Sequence, residues 1–187
     1  MAATVHVLTT GYADERVAST VTLLRDGDTT VVVDPGMVAD RRRILDPLRA
    51  EGIAPEQVTD VVFSHHHPDH TLNAALFPEA RFHDHMAVYR DDVWLDRDAD
   101  GYRLGEHIEL RRTPGHTAED ISTLVRTEAG LVVLTHLWWH AEGPAQDPFA
   151  ADPDLLSASR RSVLDLQPVL IVPGHGEPFS PGERTPV

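Results

Sequence analysis

The 187-residue sequence contains no cysteine and no lysine. Without cysteine the chain has neither disulfides nor thiolate ligands, so a bound metal must use histidine and carboxylate side chains. All 16 basic residues are arginines, against 30 acidic residues, and the formal net charge is −14. Because nucleic-acid binding proteins usually carry a basic surface, this balance disfavours a nucleic-acid partner without excluding a local arginine patch.

Long apolar runs are missing as well. No stretch approaches the roughly 18 residues that span a membrane, and the N-terminus lacks the basic and apolar regions of a signal peptide. We therefore expect a cytoplasmic protein with no membrane partner. No Gly/Ser-rich or Pro-rich linker divides the chain, which predicts one domain over residues 1–187. The oligomeric state is not indicated by the sequence.

Short β-branched runs separated by turn signals dominate the sequence. Periodicity predicts strands at 5–8, 21–24, 29–34, 58–63, 81–83, 109–112, 121–126, 131–134 and 169–172, and helices at about 40–52, 71–76 and 153–166. The order of strands, helix and strand occurs twice, and each helix must cover one sheet face. The pattern predicts an α/β (α+β) fold of four layers, an αββα sandwich.

The stretch SHHHPDH at residues 64–70 holds four of the twelve histidines. In extended chain alternate side chains point the same way, so His65 and His67 can reach one metal ion while His66 points elsewhere. Asp69 and His70 fall near the start of the next helix, where they can turn towards a second metal position. Imidazole and carboxylate ligands suit zinc, and also iron or manganese.

Three later histidines, His116, His136 and His175, also follow predicted strands. Loops beyond strand ends hold the binding sites of open sheets, so these residues can meet the 64–70 cluster there. A lone histidine is more often a satisfied polar group than a ligand. That interpretation is retained for the remaining histidines, which are His6, His83, His85, His107 and His140.

The ordered motifs HxHxDH at 65–70, TPGHT at 113–117 and PGHG at 173–176 resemble those of the metallo-β-lactamase superfamily. Asp34, in VVDPG, resembles the early aspartate of that family. The stretches LLRDGDTTVVVDPG, LFPEARF, TPGHTAEDIS and VPGHGEPF are similar to a group of small stand-alone members, whose animal member is described as a ribonuclease acting on histone messenger RNA. The resemblance spans nearly the whole chain.

This resemblance implies an αββα sandwich with one or two metal ions at one edge of the sheets. It implies that a first ion is held by His65, His67 and His116, and a second by Asp69, His70 and His175. The expected cofactor is Zn²⁺, with Mn²⁺ or Fe²⁺ as alternatives.

His136 stands where the family usually has an aspartate that bridges both metals. A carboxylate has two oxygens and a charge, whereas a neutral imidazole has one free lone pair and binds only one ion. We therefore expect His136 to be a terminal ligand or to pack beside the site. In both cases we expect the second metal to be held more weakly than in the family.

The expected activity is hydrolysis of an ester, lactone, thioester or phosphodiester by a metal-bound hydroxide. We expect Asp69 to orient the nucleophile or accept its proton, and His136 or His140 to protonate the leaving group. Trp138 and Trp139 either wall the substrate pocket or close the core. The loop 137–152 is expected to set specificity.

Three alternatives stay open. The chain is compatible with a mono-iron dioxygenase of the same fold, with a ribonuclease like the group's animal member, and with a metal-binding protein that lacks catalysis. The expected partner is a small-molecule or ester-type substrate. The metal that the protein carries discriminates between oxidation and hydrolysis.

Overall fold

The computed structural model describes residues 2–187 and has thirteen strands and three α-helices. The strands are β1 (Thr4–Thr9), β2 (Tyr12–Ala13), β3 (Val17–Ala18), β4 (Val21–Asp26), β5 (Thr29–Val33), β6 (Asp60–Val62), β7 (Arg81–His83), β8 (Ala87–Arg90), β9 (Val93–Asp96), β10 (Ile108–Arg112), β11 (Ile121–Thr127), β12 (Gly130–Thr135) and β13 (Leu170–Pro173). The α-helices are α1 (Arg42–Ala50), α2 (Pro68–Thr71) and α3 (Pro153–Leu164), with 3₁₀ turns at Pro55–Gln57 and Ala74–Leu76. None of these helices is long and apolar enough to cross a bilayer.

Two sheets contain most of the strands. The larger has the order β1-β4-β5-β6-β7-β8-β9, the smaller has the order β10-β11-β12-β13, and β2 pairs with β3 in a separate hairpin. Strands β5, β6 and β7 run parallel to one another, and so do β12 and β13. The carboxyl ends of parallel strands meet at one edge of a sheet, which is where ligand-binding loops of such sheets lie.

Strand β5 shows what covers each face of the larger sheet. Val31 and Val33 belong to the apolar cluster between the two sheets. Val32 points to the opposite face and packs with Ile44 and Leu48 of α1. Successive side chains of a strand point to opposite faces, so a strand buried on both sides appears as a continuous apolar run, as residues 31–33 do.

Strand β12 repeats this arrangement in the smaller sheet. Val132 and Leu134 face the inter-sheet cluster, and Val133 packs with Leu156 and Val163 of α3. The layers are therefore α1, larger sheet, smaller sheet and α3. The predicted αββα sandwich is confirmed.

The helix predicted at 71–76 is misplaced. The α-helix begins at Pro68, immediately after His67, and ends at Thr71, while residues 74–76 form only a 3₁₀ turn. Proline suits the first position of a helix because its φ is already helical and its missing N–H is not needed there. Asp69 and His70 consequently lie inside α2 rather than in a loop.

The hairpin of β8 and β9 is absent from the sequence prediction. Strand β9 forms the edge of the larger sheet, and all four of its residues are exposed, including Val93, Trp94 and Leu95. Because β9 buries neither face, its sequence lacks the alternation by which a half-buried strand is recognised.

Candidate metal centre

The seven predicted site residues lie at one edge of the sandwich. The 64–70 stretch follows β6, and His116, His136 and His175 follow β10, β12 and β13. Apart from the cavity-facing His67 and Asp69, these side chains are buried. The sequence-distant histidines are therefore brought together, as the strand-end argument predicts.

The first group consists of His65, His67 and His116. Nε2 of His65 lies 2.9 Å from Nδ1 of His67, and Nε2 of His116 lies 3.2 Å from the same atom. A tetrahedral zinc ion bound by nitrogen at about 2.0–2.1 Å holds its ligands roughly 3.3 Å apart. The spacing of these three nitrogens is close to that of a metal-ligand set.

The second group consists of Asp69, His70 and His175. Oδ2 of Asp69 lies 3.3 Å from Nε2 of His70 and 3.5 Å from Nε2 of His175. Nε2 of His70 is buried and has no hydrogen-bond partner among residues 2–187. A cation bound in place of a proton would give this nitrogen the partner that residues 2–187 do not supply.

The His136 ring lies between the two groups. Its centroid is 4.6 Å from that of His65 and 4.3 Å from that of His116, and it is 4.7 Å from His70 and 5.1 Å from His175. Two overlapping triads, His65–His116–His136 and His70–His136–His175, have ligand atoms within 4.8 Å of one another and could hold a metal ion. His136 belongs to both triads.

Carboxylates orient two of the imidazoles. Nδ1 of His116 donates to Oδ2 of Asp147 at 2.7 Å, and Nδ1 of His70 donates to Oδ2 of Asp34 at 2.8 Å. Asp34 has φ of +51°, a left-handed conformation that aspartate tolerates better than most residues. Its other oxygen, Oδ1, accepts from the backbone N–H of Ser64 at 2.7 Å, so it also fixes the start of the histidine segment.

Neutral oxygens orient two further rings. Nδ1 of His175 donates to the carbonyl of Ala18 at 3.0 Å, and Nδ1 of His65 faces the hydroxyl of Ser64 at 3.1 Å. Metal-binding histidines typically use one ring nitrogen for such a partner, which fixes the tautomer and leaves the other nitrogen free. His65, His70, His116 and His175 all follow this rule, with Nε2 facing the cluster.

Burial and neighbouring charges shift the pKa values within the site. Burial opposes protonation of His70, but Asp34 and Asp69 outweigh it and raise its pKa to about 9. Burial also disfavours the charged form of Asp69, yet the nearby His70 ring lowers its pKa to about 2. Burial and the nearby imidazoles lower the pKa of His175 to about 4 and hold that of His136 well below its usual range. Asp69 is therefore ionised at neutral pH.

A cavity of about 530 Å³ opens over the two groups. It is lined by Ala13, Asp14, Val17, His67, Asp69, His116, His136, Trp139, Phe149 and His175. Trp139 stacks on Phe149 with ring centroids 5.8 Å apart. Trp138 instead is fully buried in the apolar cluster under α3. Each of the two interpretations therefore holds for one tryptophan. Trp139 lines the cavity, and Trp138 packs in the core.

Two carboxylates at the site were not predicted from the sequence. Asp147 holds His116 and also accepts from Nε1 of Trp139 at 3.2 Å. Asp120 accepts from the N–H and hydroxyl of Thr117 at 2.7 and 2.8 Å, which fixes the turn carrying His116, and burial raises its pKa to about 6. Asp120 lies in the TPGHTAEDIS stretch that carries the resemblance, whereas nothing in the spacing around Asp147 marks it.

Histidines outside the centre mostly pair with carboxylates. The pairs are His6–Glu51, His66–Asp84, His83–Asp60, His107–Asp26 and His140–Glu142. His85 differs, because its Nδ1 is buried without a hydrogen-bond partner in the described part of the chain.

A two-sheet αββα sandwich with a histidine and aspartate cluster at one edge defines the metallo-hydrolase type of fold. Residues 14–144 match the family model described as the metallo-beta-lactamase superfamily. This chain belongs to that superfamily, as the motifs at 65–70, 113–117 and 173–176 predict.

Curated relatives place the chain near one named group of the family. It is 36% identical to metallo-beta-lactamase domain-containing protein 1 of Xenopus laevis, over 94% of this chain and 80% of that protein. It is 35% identical to the Homo sapiens protein of the same name, over 80% of this chain and 59% of that protein. The chain therefore spans more than half, but not all, of these relatives.

Solved structures agree with the fold. A Thermotoga maritima protein of the same fold superposes with a TM-score of 0.74 at 23% identity, covering 97% of this chain and 100% of the other. An N-acyl homoserine lactone hydrolase with its product bound at the catalytic metal centre gives 0.69 at 19% identity, covering 93% and 92%. At these identities the likeness establishes the fold, and the neighbours include hydrolases.

Proposed function

We propose that this protein is a metal-dependent hydrolase of neutral ester, lactone or thioester substrates. The observation that carries the proposal is the orientation of His65, His70, His116 and His175. Each has Nδ1 held by an oxygen atom and Nε2 facing the cluster. Buried imidazoles that face one another are unfavourable, because they are either unpaired or, when protonated, carry like charges. A bound cation would give their Nε2 atoms a partner.

The two groups divide the ligands between two metal positions. His65, His67 and His116 would hold one ion, and Asp69, His70 and His175 the other. The neutral and anionic donors suit Zn²⁺, and also Mn²⁺ or Fe²⁺. A divalent cation held there would lower the pKa of a coordinated water molecule, to about 7 for zinc, and would polarise the scissile group.

Asp69 is the candidate general base. Its carboxylate is partly exposed to the cavity and ionised at neutral pH, so it can orient a water molecule, or accept its proton when the second metal position is empty. For His136 we favour the ligand role over proton donation, because its Nδ1 is buried with no hydrogen-bond partner within residues 2–187. A general acid must be reprotonated after each turnover, and the buried Nδ1 of His136 has no neighbour in the described chain that could deliver a proton. His140, half-exposed, is the remaining candidate donor to a leaving group.

The cavity lining supports a neutral substrate. Asp14 and Asp69 are its charged side chains, and no arginine lies among the lining residues that the structure describes. Phosphodiester backbones are usually bound by cationic side chains. The stacked rings of Trp139 and Phe149 instead offer an apolar wall for an acyl chain or aromatic group.

His136 makes the two metal positions unequal in this proposal. It belongs to both triads but has one nitrogen free, so it can complete only one of them at a time. We expect the second ion to be lost first during dialysis. Changing His136→Asp should let the carboxylate join both positions and raise the number of zinc ions retained, as measured by elemental analysis. Two fully occupied zinc ions bridged by a carboxylate in the unmodified protein would contradict this assignment.

The central experiment combines metal analysis with a substrate panel. Protein purified without chelator is tested with p-nitrophenyl esters of increasing acyl length, lactones, thioesters and bis(p-nitrophenyl) phosphate. We expect ester or lactone turnover that depends on metal, increases with acyl length, and is lost in His116→Ala. The control variant His107→Ala removes a histidine that pairs with Asp26 outside the centre, and should leave turnover unchanged.

Other results would point to the alternatives. Turnover of the phosphodiester alone would favour a ribonuclease, and bound iron with oxygen uptake would favour a dioxygenase. Bound metal with no turnover of any substrate would favour a binding protein without catalysis.

A further inference from the structure

We propose that His66, Asp84 and His85 form a separate binding site for a divalent transition-metal ion, beside the main centre. One ligand atom from each residue can be chosen so that all three lie within 4.8 Å of one another. Nε2 of His66 lies 3.2 Å from Oδ2 of Asp84, which matches the roughly 3.3 Å separation of ligands on a tetrahedral ion. Small rotations of His66, whose side chain is 42% exposed, would complete the approach.

The hydrogen bonds of Asp84 leave one oxygen for a cation. Its Oδ1 accepts from the backbone N–H groups of Met86 and Ala87, both at 2.8 Å, and these bonds fix the turn between β7 and β8. The one hydrogen-bond partner of Oδ2 within residues 2–187 is the imidazole of His66. The buried carboxylate is thus held rigidly by one oxygen and presents the other towards the histidines.

His85 supplies the independent observation. Nδ1 of His85 is buried and lacks a hydrogen-bond partner among the described residues. An unmatched buried polar atom destabilises the folded state. Other histidines outside the main centre, such as His6 and His107, pair with carboxylates instead. A cation held by His85 and Asp84 would satisfy this nitrogen.

Some nearby charges favour a cation at this site, and others oppose it. Glu119 adds negative charge close to His66, and the whole chain carries a net charge of −14. The Arg97 guanidinium interacts with Asp84 and opposes a cation there. We therefore expect this site to bind more weakly than the main centre. Two imidazoles and one carboxylate suit Zn²⁺, Co²⁺ or Cu²⁺ and leave coordination positions open to water.

The location of this second site indicates a structural role for the bound ion. His66 lies between His65 and His67 in the chain, and its side chain contacts the β7–β8 turn rather than the main cavity. An ion shared by His66, Asp84 and His85 would tie the segment that carries two main-centre ligands to a neighbouring turn. It would stabilise that segment without contacting substrate.

The test counts ions in full-length protein whose main centre is already loaded. The loaded protein is equilibrated with increasing free Zn²⁺, and bound metal is measured by elemental analysis after gel filtration. We expect the unmodified protein to bind one ion per chain more than Asp84→Asn and His85→Gln do at the same free Zn²⁺. Asparagine can still accept both backbone N–H bonds through its Oδ1, so the turn should persist in Asp84→Asn.

The matched control is His6→Gln, which removes a histidine that pairs with a single carboxylate. We expect this variant to bind as many ions as the unmodified protein. The additional ion should also raise the melting temperature of the unmodified protein but not that of Asp84→Asn, since a ligand stabilises only the state that binds it. Equal ion counts in all four proteins, or an equal loss in His6→Gln, would overturn the proposal.

Discussion

The imidazole of His136 lies directly against the backbone of Gly174. A Cβ atom added to Gly174 would come within 2.0 Å of Nδ1 of His136. Thr135 and Pro173 pair in the parallel register of β12 and β13, so His136 and Gly174 are the first residues beyond two adjoining strand ends. The glycine of the PGHG motif therefore makes room for the histidine that replaces the expected carboxylate.

Gly174→Ala should consequently displace the His136 ring. Extra atoms forced into a packed interior typically reduce the free energy of unfolding by about 1–3 kcal/mol. We expect that loss in urea denaturation, together with fewer retained zinc ions. The double variant Gly174→Ala/His136→Ala should recover part of the stability, because the clashing ring is removed. Additive losses in the double variant would show that the contact is not the cause.

Asp147→Asn should weaken metal binding without removing a proposed ligand. Asp147 orients His116 through Nδ1, and loss of such a partner typically lowers metal affinity by about 10–100-fold. Competition with a chromogenic chelator measures the change. Glu142→Gln provides the control, because this carboxylate lies in the same loop with its side chain 86% exposed. Equal affinities in the two variants would contradict the orienting role.

The neighbouring tryptophans should separate stability from substrate binding. Trp138 is fully buried and donates to the carbonyl of Pro186 at 2.8 Å, so Trp138→Ala should reduce the free energy of unfolding by about 3–5 kcal/mol. Trp139→Ala should change that free energy little but raise KM most for the substrates with the longest acyl chains. Thermal melts and KM values across the ester series check both expectations. A uniform change of kcat with unaltered KM would contradict the role of Trp139 as a substrate wall.

His83 should contribute to the acid sensitivity of the fold. Nε2 of His83 donates to Asp60 at 2.8 Å, and Nδ1 lies 3.3 Å from Nη2 of Arg97. Burial, opposed by the bond to Asp60, lowers the pKa of His83 below its ordinary value. Below pH of about 6.5 the unfolded chain therefore binds a proton that the folded protein does not, and stability falls as the pH falls.

Urea denaturation at several pH values isolates this contribution. The free energy of unfolding should decrease by up to about 1.4 kcal/mol per pH unit more in the unmodified protein than in His83→Gln, until the pH reaches the lowered pKa. Identical pH profiles of the two proteins would show that His83 titrates alike in the folded and unfolded states.

The sequence predicts the layers and the main cluster because both depend on local patterns. Alternation places Val31 and Val33 on one face and Val32 on the other, and the strand-end position brings His116 and His175 to the 64–70 stretch. Two of its interpretations are less successful. The helix after the cluster begins earlier, at Pro68, and β9 has no buried face that would reveal the β8–β9 hairpin.

Other features depend on tertiary contacts that spacing does not encode. Asp147 is 31 residues from His116, and the packing of His136 on Gly174 arises from the pairing of β12 and β13. His85 resembles an ordinary isolated histidine in the sequence. Only the folded chain brings His66 to the neighbouring pair Asp84 and His85 and leaves a nitrogen of His85 unsatisfied.

Strand β9 affects how the protein behaves in concentrated solution. It has a neighbouring strand on one side only within residues 2–187, and Trp94 and Leu95 on it are more than half exposed. Open strand edges are templates for pairing between molecules. Mutual repulsion between chains of net charge −14 opposes that pairing at low ionic strength, and added salt shortens its range. Colloidal stability should therefore decline as salt concentration rises.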